Sequence, residues 1–445
     1  MTRSNVLACF IAALIVLSIP ASTARGQSER GYPRLMQGPL LGPVAPDSVV
    51  IWMRGSGEFR YAVEYATSHD FRDATRSGEQ LARKADDYTL SFEIRGLEPG
   101  TRYYYRMIAE RRVSKYQRDK IPAHFVTPET GTHNFRVSFG SCARFQKSVR
   151  QRIWGVVKDI EPDLFFWVGD NIYGDALDAD ILAEEYRRQR DIPEISEVLK
   201  AVPQLATWDD HDFGLNNHDR THPAKDAALR VFKQYWPNPA YGLEDTPGVF
   251  FRYGYGGVDF FFIDNRYYRD PNKAPDGPEK TVLGEAQYRW LIDGLDSSDA
   301  PFKVVVSGSG FTSAKGPTGD SWSAFLHERD RLFNEIAERG INGVVLFSGD
   351  THRGELNRIE SPHPRGYPLY ELVSSPLAQE PSGNQRTVGE GETRLHDEYR
   401  QAVNAALVDF YPDASDPWMT MTLVNKYGEI VWEPLKIRAS ELRVR

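Results

Sequence analysis

The sequence is poor in cysteine, with only Cys9 and Cys142 among its 445 residues. Because Cys9 lies in an N-terminal segment that we expect to be removed, the mature chain would keep one thiol, which excludes an intrachain disulfide. A lone thiol in an exported protein is open to oxidation, so its presence needs a reason. Burial as a small apolar residue and ligation of a metal are both open explanations.

Long apolar runs are also scarce. The one at residues 6–19 follows Arg3 and precedes Pro20 and the small residues that end at Ala24. This order predicts a signal peptide over residues 1–24, and hence an exported protein that is periplasmic or secreted. A retained anchor is the alternative, but about 14 apolar residues are short for a bilayer span. We therefore expect no stable membrane anchor.

An excess of basic residues is lacking. Lys and Arg number 54 against 62 Asp and Glu, which gives a formal charge of -8. Binding to a nucleic-acid backbone normally needs a basic surface, so nucleic acid is excluded as the main partner. The chain is 40% hydrophobic and 12% aromatic, which is enough to form a substantial core in two or three domains.

The pattern of apolar residues changes near residue 130. Residues 41–127 hold short alternating segments rich in Val, Ile, Tyr and Thr, which predict an antiparallel β-sandwich over residues 32–130. Beyond it, apolar strands alternate with amphipathic helices, which predicts an α/β domain over residues 131–445. The predicted strands are 135–139, 164–168, 205–208, 258–263, 303–307 and 343–347, and the predicted helices are 181–189, 224–235, 286–295 and 323–339.

Four polar clusters follow apolar runs, at residues 139–142, 169–173, 208–212 and 348–352. In α/β folds functional groups collect at the carboxyl ends of the strands, so we expect these clusters to gather at one edge of a buried sheet. A thiolate, a phenol, carboxylates and imidazoles in one place predict a metal site.

Each cluster contributes a different ligand chemistry. Asp170 and Tyr173 stand three apart, and a carboxylate there can bridge two cations while a phenolate suits a trivalent metal. Three carboxylates lie within residues 209–212, and if buried they need a cation to offset their repulsion. A solvated acidic loop is the alternative for that segment. Asp350 and His352, two apart on an extended strand end, would share one side of it.

Two arginines are candidates for binding an anion. Arg144 lies two residues after Cys142 and could hold an anionic oxygen by a charge-assisted hydrogen bond. Arg266 follows the apolar run 260–263; it could bind phosphate or pair with a carboxylate of the site, and the sequence leaves both alternatives open.

Together these motifs resemble the alkaline phosphatase D family, in the metallophosphatase superfamily that includes the purple acid phosphatases. The resemblance covers most of the mature chain and implies a metallophosphatase-type layered α/β sandwich with an N-terminal fibronectin/Ig-like β-sandwich domain. It implies Fe³⁺ held by Cys142, Asp170, Tyr173 and His352, with Asp170 bridging to a second cation. That cation would be Ca²⁺ or another divalent ion, held also by Asp210 or Asp209, Asn216 and Asp350.

The activity implied by the resemblance is hydrolysis of phosphate monoesters or diesters by a metal-activated hydroxide. Asp170, His211 and Arg144 would be catalytic, with His211, Arg144 and Arg266 contacting a small-molecule or lipid phosphate ester. The alternatives are a phospholipase D-like action on lipid head groups and a secreted binding protein without activity. Residues 306–311 contain no His, although the superfamily often has a ligand His there, so a carboxylate or water is the expected replacement.

Overall fold

The computed structural model describes residues 31–113, 122–383 and 385–445. The predicted signal peptide over residues 1–24 lies outside these ranges. Within them, no helix is both long and apolar enough to cross a membrane. Residues Pro33–Arg445 form one compact unit.

Residues 35–113 and 122–126 form two antiparallel sheets, whose facing side chains share one apolar core. The smaller sheet has the order β1-β2-β6, and the larger contains β4-β3-β7-β8 with β5 on β3 and β9 on β7. This is the predicted β-sandwich. The strands are β1 Leu35–Ala45, β2 Ser48–Gly55, β3 Arg60–Ala66, β4 Thr75–Arg76, β5 Gln80–Leu81, β6 Thr89–Arg95, β7 Arg102–Ala109, β8 Arg112–Val113 and β9 Ala123–Val126.

The rest of the chain builds two larger mixed sheets with helices around them. The first has the order β12-β11-β10-β22-β23-β24 and the second β15-β16-β17-β18-β20-β19-β21. Their strands are β10 Phe135–Gly140, β11 Leu164–Val168, β12 Gln204–Thr207, β15 Phe251–Tyr255, β16 Val258–Phe262, β17 Lys303–Val306, β18 Val344–Ser348, β19 Glu355–Ile359, β20 Leu369–Val373, β21 Glu392–Arg394, β22 Asn404–Tyr411, β23 Trp418–Asn425 and β24 Leu435–Arg438. A separate hairpin pairs β13 Gly242–Leu243 with β14 Thr246–Pro247.

The helices lie mostly in the connections between parallel strands. They are α1 Ile153–Asp159, α2 Ala179–Arg190, α3 Pro193–Leu199, α4 Asp210–Phe213, α5 Lys225–Tyr235, α6 Gly284–Asp296 and α7 Leu326–Glu338. Apolar side chains of both large sheets, such as Phe139 and Phe347 with ring centroids 4.5 Å apart, meet in a common core. The layered α/β architecture inferred from the sequence is confirmed.

One expectation about the site's surroundings is wrong. The polar clusters do not lie at the edge of one sheet, because β10, β11 and β12 belong to the first large sheet and β16, β17 and β18 to the second. Within each sheet these three strands are parallel. The carboxyl ends of two facing parallel segments, rather than of one, therefore supply the loops of the site.

Candidate metal centre

The loops after five strands carry the side chains of the site. Cys142 follows β10, Asp170 and Tyr173 follow β11, and Asp209 with Asp210 follow β12. From the facing sheet, Arg266 follows β16 and Asp350 with His352 follow β18. These strands are mostly apolar along their buried length, although β10 contains Ser138 and β12 contains Gln204, and the charged residues of the site come after each strand ends.

Backbone strain is concentrated at this place. Cys142, Asp170, Asp350 and His352 all have a positive φ, between 52° and 66°. Residues other than glycine seldom adopt this left-handed conformation, and when they do so in a group they mark functional sites. The loop conformations thus turn four candidate ligands toward one point at a cost in backbone energy.

The first group of side chains joins a thiol, a carboxylate, a phenol and an imidazole. Cys142 Sγ lies 3.3 Å from Asp170 Oδ2, and the hydroxyl of Tyr173 lies 3.2 Å from both Asp170 Oδ2 and His352 Nε2. Ligand atoms of Cys142, Asp170 and His352 all lie within 4.8 Å of one another. The four residues that the sequence assigned to one cation are therefore brought together.

The electrostatics of this group disfavour its charged forms. Burial, and then the nearby Asp350, raise the pKa of the Cys142 thiol to about 11. Burial raises the pKa of Asp170 well above its ordinary value, and the neighbouring thiol adds to this effect. Burial lowers the pKa of His352 to about 4. An imidazole that stays neutral near neutral pH has a free nitrogen lone pair with which to bind a metal.

A second group shares Asp170 with the first. Ligand atoms of Asp170, Asp210 and His211 lie within 4.8 Å of one another. His211 Nδ1 is 2.5 Å from Asp175 Oδ1, and its ring centroid lies 4.1 Å from that of Tyr173. Although burial lowers the pKa of His211, the surrounding carboxylates, with Asp170 first, outweigh it and raise the pKa to about 10.

A third group contains Asp209, Asp320 and Asp350 and is partly compensated by cations of the chain itself. Arg266 pairs with Asp209 and, at 2.6 Å, with Asp320, while Lys315 pairs with Asp350. Burial raises the pKa of Asp350 to about 7 even though Lys315 opposes this. Arg266 and Arg269 outweigh burial at Asp320 and lower its pKa.

The two candidate anion-binding arginines have different surroundings. Arg266 is fully buried, and its guanidinium forms ion pairs with carboxylates. The Asp209 oxygen that pairs with Arg266 also accepts a hydrogen bond from Asn265 Nδ2 at 2.9 Å. Of the two alternatives open at the sequence level, the structure shows pairing with carboxylates. Arg144 is half-buried, its Cζ lies 4.7 Å from the ring centroid of Tyr173, and no carboxylate among the described residues pairs with it.

Asn216 is exposed in the loop after α4. The next residue, Asn217, contacts the site instead, because its backbone N–H donates to Asp210 Oδ2 at 2.6 Å. The family resemblance assigned Asn216 to the second cation, and among the described residues its amide makes no hydrogen bond to a carboxylate of the site.

Several residues of the site were missed from the sequence. They are Asp175, Lys315, Asp320, Gln379 and Ser382. Gln379 Nε2 donates to the Tyr173 hydroxyl at 2.6 Å, and Ser382 Oγ lies 3.0 Å from His352 Nδ1. These residues stand six or more positions beyond the end of the preceding strand, so the pattern of polar residues directly after an apolar run does not mark them.

The donor set fits a pair of bound cations. Asp170 Oδ1, Asp209 Oδ2 and Asp210 Oδ1 are buried, and within the described part of the chain none of the three has a hydrogen-bond partner. Buried carboxylate oxygens without partners are costly, and a metal ion removes that cost. Sulfur, phenol and imidazole on one side are donors that suit a transition-metal ion, and the oxygen atoms on the other side suit a hard divalent cation.

Comparison with solved structures identifies the class of fold. The structure of PhoD superposes with a TM-score of 0.69 at 19% sequence identity, over 88% of this chain and 91% of that one. The purple acid phosphatase PPD1 from yellow lupin (Lupinus luteus) seeds superposes with a TM-score of 0.61 at 13% identity, over 92% and 74%. The fold is therefore of the metallophosphatase type.

Sequence comparison gives the family. The profile of the family described as PhoD-like phosphatase matches residues 137–415, and that of its N-terminal domain matches residues 20–122. The chain belongs to the PhoD-like phosphatase family. It is 27% identical over 377 residues to alkaline phosphatase D of Bacillus subtilis (strain 168). That alignment covers 71% of this chain and 64% of the relative, so it spans less than two thirds of the relative's length.

Proposed function

We propose that the protein is an exported, metal-dependent phosphoesterase that hydrolyses phosphate monoesters, diesters or both. The observation that carries the proposal is the position of Asp170, which belongs to two groups of candidate ligands and keeps one buried oxygen that no other described residue contacts by a hydrogen bond. Such a carboxylate is suited to bridging two cations. Export is proposed from the signal-peptide pattern of residues 1–24.

Each cation has a proposed set of residues. Cys142, Asp170, Tyr173 and His352 would hold Fe³⁺, and Asp170 with Asp210 or Asp209, Asn216 and Asp350 would hold Ca²⁺ or another divalent ion. Two cations bound there would lower the pKa of a water molecule and would offset the negative charge that develops on a phosphoryl group. Of the two adjacent aspartates, Asp210 is the preferred ligand because its ligand atoms group with those of the bridging Asp170, whereas Asp209 groups with Asp320 and Asp350.

The chain's own residues have separate tasks at the phosphoryl group. His211, which is positioned by its hydrogen bond to Asp175, would donate a proton to the leaving oxygen. Arg144 keeps a buried Nε without a partner among the described residues. Its free donors and its place beside Tyr173 suit it to bind the phosphoryl oxygens.

The proposal is tested by elemental analysis of the purified protein together with hydrolysis of para-nitrophenyl phosphate and bis-para-nitrophenyl phosphate. We expect iron and calcium to be present and turnover to be lost on chelation and regained on addition of the metals. The ratio of the two rates decides between monoester and diester preference. A protein that takes up both metals yet hydrolyses neither ester would contradict the proposed activity.

Asp170→Asn is the sharpest variant for the bridging role. Loss of a residue that only orients a metal ligand lowers activity by about 10–100-fold. We expect Asp170→Asn to lower turnover by more than this, while the protein stays folded. Asp163→Asn, at the position just before β11 and so at the opposite end of that strand from Asp170, is the matched control and should keep wild-type activity and metal content. Wild-type activity in Asp170→Asn would remove the bridging role.

A further inference from the structure

Arg190 is a buried arginine at the end of helix α2, with only 7% of its surface exposed. Its Nη2 donates to the backbone oxygen of Tyr235 at 2.5 Å. Within the described ranges its Nε has no hydrogen-bond partner, and no carboxylate lies within ion-pair distance of its guanidinium. Burial lowers its pKa to about 10, so the side chain is charged at neutral pH. Because a buried charge without a counter-charge is costly, its presence here needs an explanation.

Four aromatic rings take the place of a counter-ion. The guanidinium carbon lies between 4.6 and 5.4 Å from the ring centroids of Trp52, Tyr186, Tyr235 and Trp236. The faces of aromatic rings attract a cation, and the attraction is strongest where water is excluded. We call Arg190 and these four rings the arginine cage.

The β-sandwich supplies one wall of the arginine cage. Trp52 lies on β2 of the sandwich, whereas Tyr186 lies on α2 and Tyr235 is the last residue of α5. Trp52 Nε1 donates to the backbone oxygen of Gln234 at 2.7 Å, and its ring centroid is 5.8 Å from that of Tyr235. The cage therefore joins the sandwich to two helices of the α/β domain.

Tyr186 connects the arginine cage to the candidate metal centre. Its ring is stacked on that of Tyr235, with centroids 5.0 Å apart and an angle of 14° between the planes. Its hydroxyl donates to Asp212 Oδ1 at 2.9 Å. The rings and the guanidinium around Tyr186 thus determine where that hydroxyl, and the carboxylate that accepts from it, can lie.

Asp212 contacts the two loops that carry proposed bridging and second-cation ligands. Its Oδ2 accepts from the backbone N–H groups of Asn171 and Asp209. Asn171 directly follows Asp170, and Asp209 directly precedes Asp210. The position of the Asp212 carboxylate therefore affects the backbone next to both ligands.

We propose that Arg190 is a positioning residue of the metal centre, and that the β-sandwich helps to set the geometry of that centre through it. The guanidinium holds the Tyr186 ring so that its hydroxyl meets Asp212, and Asp212 holds the two loops. The inference rests on the proposed function, since it takes the residues of these loops as ligands. A purely structural Arg190 would stabilise the contact between sandwich and helices without affecting metal binding.

A double-mutant cycle tests this role. Arg190→Met keeps much of the side-chain length and removes the charge, and Tyr186→Phe removes the hydroxyl and keeps the ring. The readout is the affinity of the full chain for Fe³⁺ and Ca²⁺, measured by competition with a chelator. We expect each single variant to bind the metals about 10-fold more weakly, as when a residue that orients a metal ligand is lost. The double variant should bind no more weakly than the weaker single variant, because both changes remove the same interaction.

Two further variants of helix α2 serve as controls. Arg190→Lys keeps a cation beside the rings and should restore most of the affinity. Arg187→Met is the matched control, because Arg187 pairs with Asp87 of the sandwich at 2.6 Å but is not part of the arginine cage. It should lower the urea midpoint and leave metal affinity unchanged. Unchanged affinity in Arg190→Met, losses that multiply in the double variant, or an equal loss in Arg187→Met would overturn the inference.

Trp52→Phe tests the part of the β-sandwich and replaces Arg190→Met if that variant does not fold. It keeps an apolar ring but gives the cation a weaker partner, so we expect metal affinity to fall about threefold. Wild-type affinity in Trp52→Phe would exclude a contribution of the sandwich to the metal centre.

Amide hydrogen exchange of the metal-free protein separates this inference from the proposed function. The N–H groups of Asn171 and Asp209 should exchange faster in Arg190→Met than in wild type, and at the wild-type rate in Arg187→Met. If the protein hydrolyses neither ester, the proposed activity fails, and this pattern still supports the role of Arg190. Wild-type exchange of both amides in Arg190→Met overturns that role in an active protein as well.

Discussion

The backbone N–H of Asn171 donates a hydrogen bond to Asp212 Oδ2 at 3.1 Å, which ties two loops of the candidate metal centre together. The same oxygen accepts from the N–H of Asp209 at 3.2 Å, and Oδ1 accepts from the Tyr186 hydroxyl at 2.9 Å. One buried carboxylate therefore fixes the residues that follow β11 and β12. Of the three carboxylates crowded into residues 209–212, Asp212 is satisfied by hydrogen-bond donors rather than by a cation.

Asp212→Ala should weaken both the fold and the metal site. Because it leaves buried donors without an acceptor, we expect the free energy of unfolding to fall by about 1–3 kcal/mol, measured by urea denaturation. Metal affinity should fall about 10–100-fold, as it does when a partner that orients ligands is lost. Asp178→Ala, which removes the carboxylate that caps α2, should cost about 1 kcal/mol and leave metal affinity unchanged. Unchanged metal affinity in Asp212→Ala would contradict the role of Asp212 as a clamp.

Arg266→Ala and Arg144→Ala should separate a structural arginine from a functional one. Removing Arg266 leaves Asp209 buried without its cation and Asp320 with Arg269 alone, so the apoprotein should lose about 3–5 kcal/mol of stability. Removing half-buried Arg144, which has no carboxylate partner among the described residues, should leave the thermal midpoint within a few degrees. Its kcat/KM on para-nitrophenyl phosphate should fall about 100–1000-fold, as for a donor to a developing negative charge. Loss of stability in Arg144→Ala with little loss of activity would reverse the assignment.

Ser382→Ala should loosen one proposed ligand without disturbing the fold. Ser382 Oγ lies 3.0 Å from His352 Nδ1 and so orients the ring that presents Nε2 to the centre. We expect metal affinity to fall about 10–100-fold, read by competition with a chelator, and the urea midpoint to stay constant. Ser382→Thr keeps the hydroxyl and should restore affinity; equal affinity in all three proteins would exclude this orienting role.

Asp87→Asn tests an ion cluster that joins the β-sandwich to helices α2 and α5. Burial raises the pKa of Asp87, but hydrogen bonds and charge from Arg54, Tyr235 and Arg187 outweigh it, so the folded-state pKa lies below the ordinary 3.8. The stabilisation is therefore complete above about pH 3.8 and is lost as pH falls through the folded-state pKa.

At pH 7 we expect Asp87→Asn to reduce the free energy of unfolding by about 1.5–3 kcal/mol, the contribution of hydrogen bonds to a charged group. Asn accepts the left-handed backbone that Asp87 adopts at φ 48°. The difference from wild type should shrink as pH falls below 3.8. Asp86→Asn, at the exposed neighbouring position, should stay within about 0.5 kcal/mol at every pH. A difference for Asp87→Asn that does not change with pH would show that the charge is not the stabilising element.

The strands of the two large sheets and the residues that follow them were largely predictable from the sequence. The runs 164–168 and 258–263 predicted strands that the structure has as Leu164–Val168 and Val258–Phe262, because a strand buried on both faces is mostly apolar. The same pattern marked Cys142, Asp170 and Asp350, which follow directly after such strands. Strands β22, β23 and β24 and helices α1 and α3 were not predicted, and they include the antiparallel strands that extend the first large sheet.

The sequence by itself determined the apolar elements and the polar residues that follow the buried strands, which form the family's motifs. It also determined the shortage of thiols and basic residues. Only the tertiary structure decided that these strand ends come from two sheets, that Asp212 clamps loops, that Arg266 is neutralised by carboxylates, and that Trp52 of the β-sandwich packs against Arg190. The physical reason is the separation along the chain of the residues that interact. Periodicity and strand ends depend on neighbours a few residues apart, whereas strand order, ion pairing and the arginine cage depend on contacts between residues far apart in the chain.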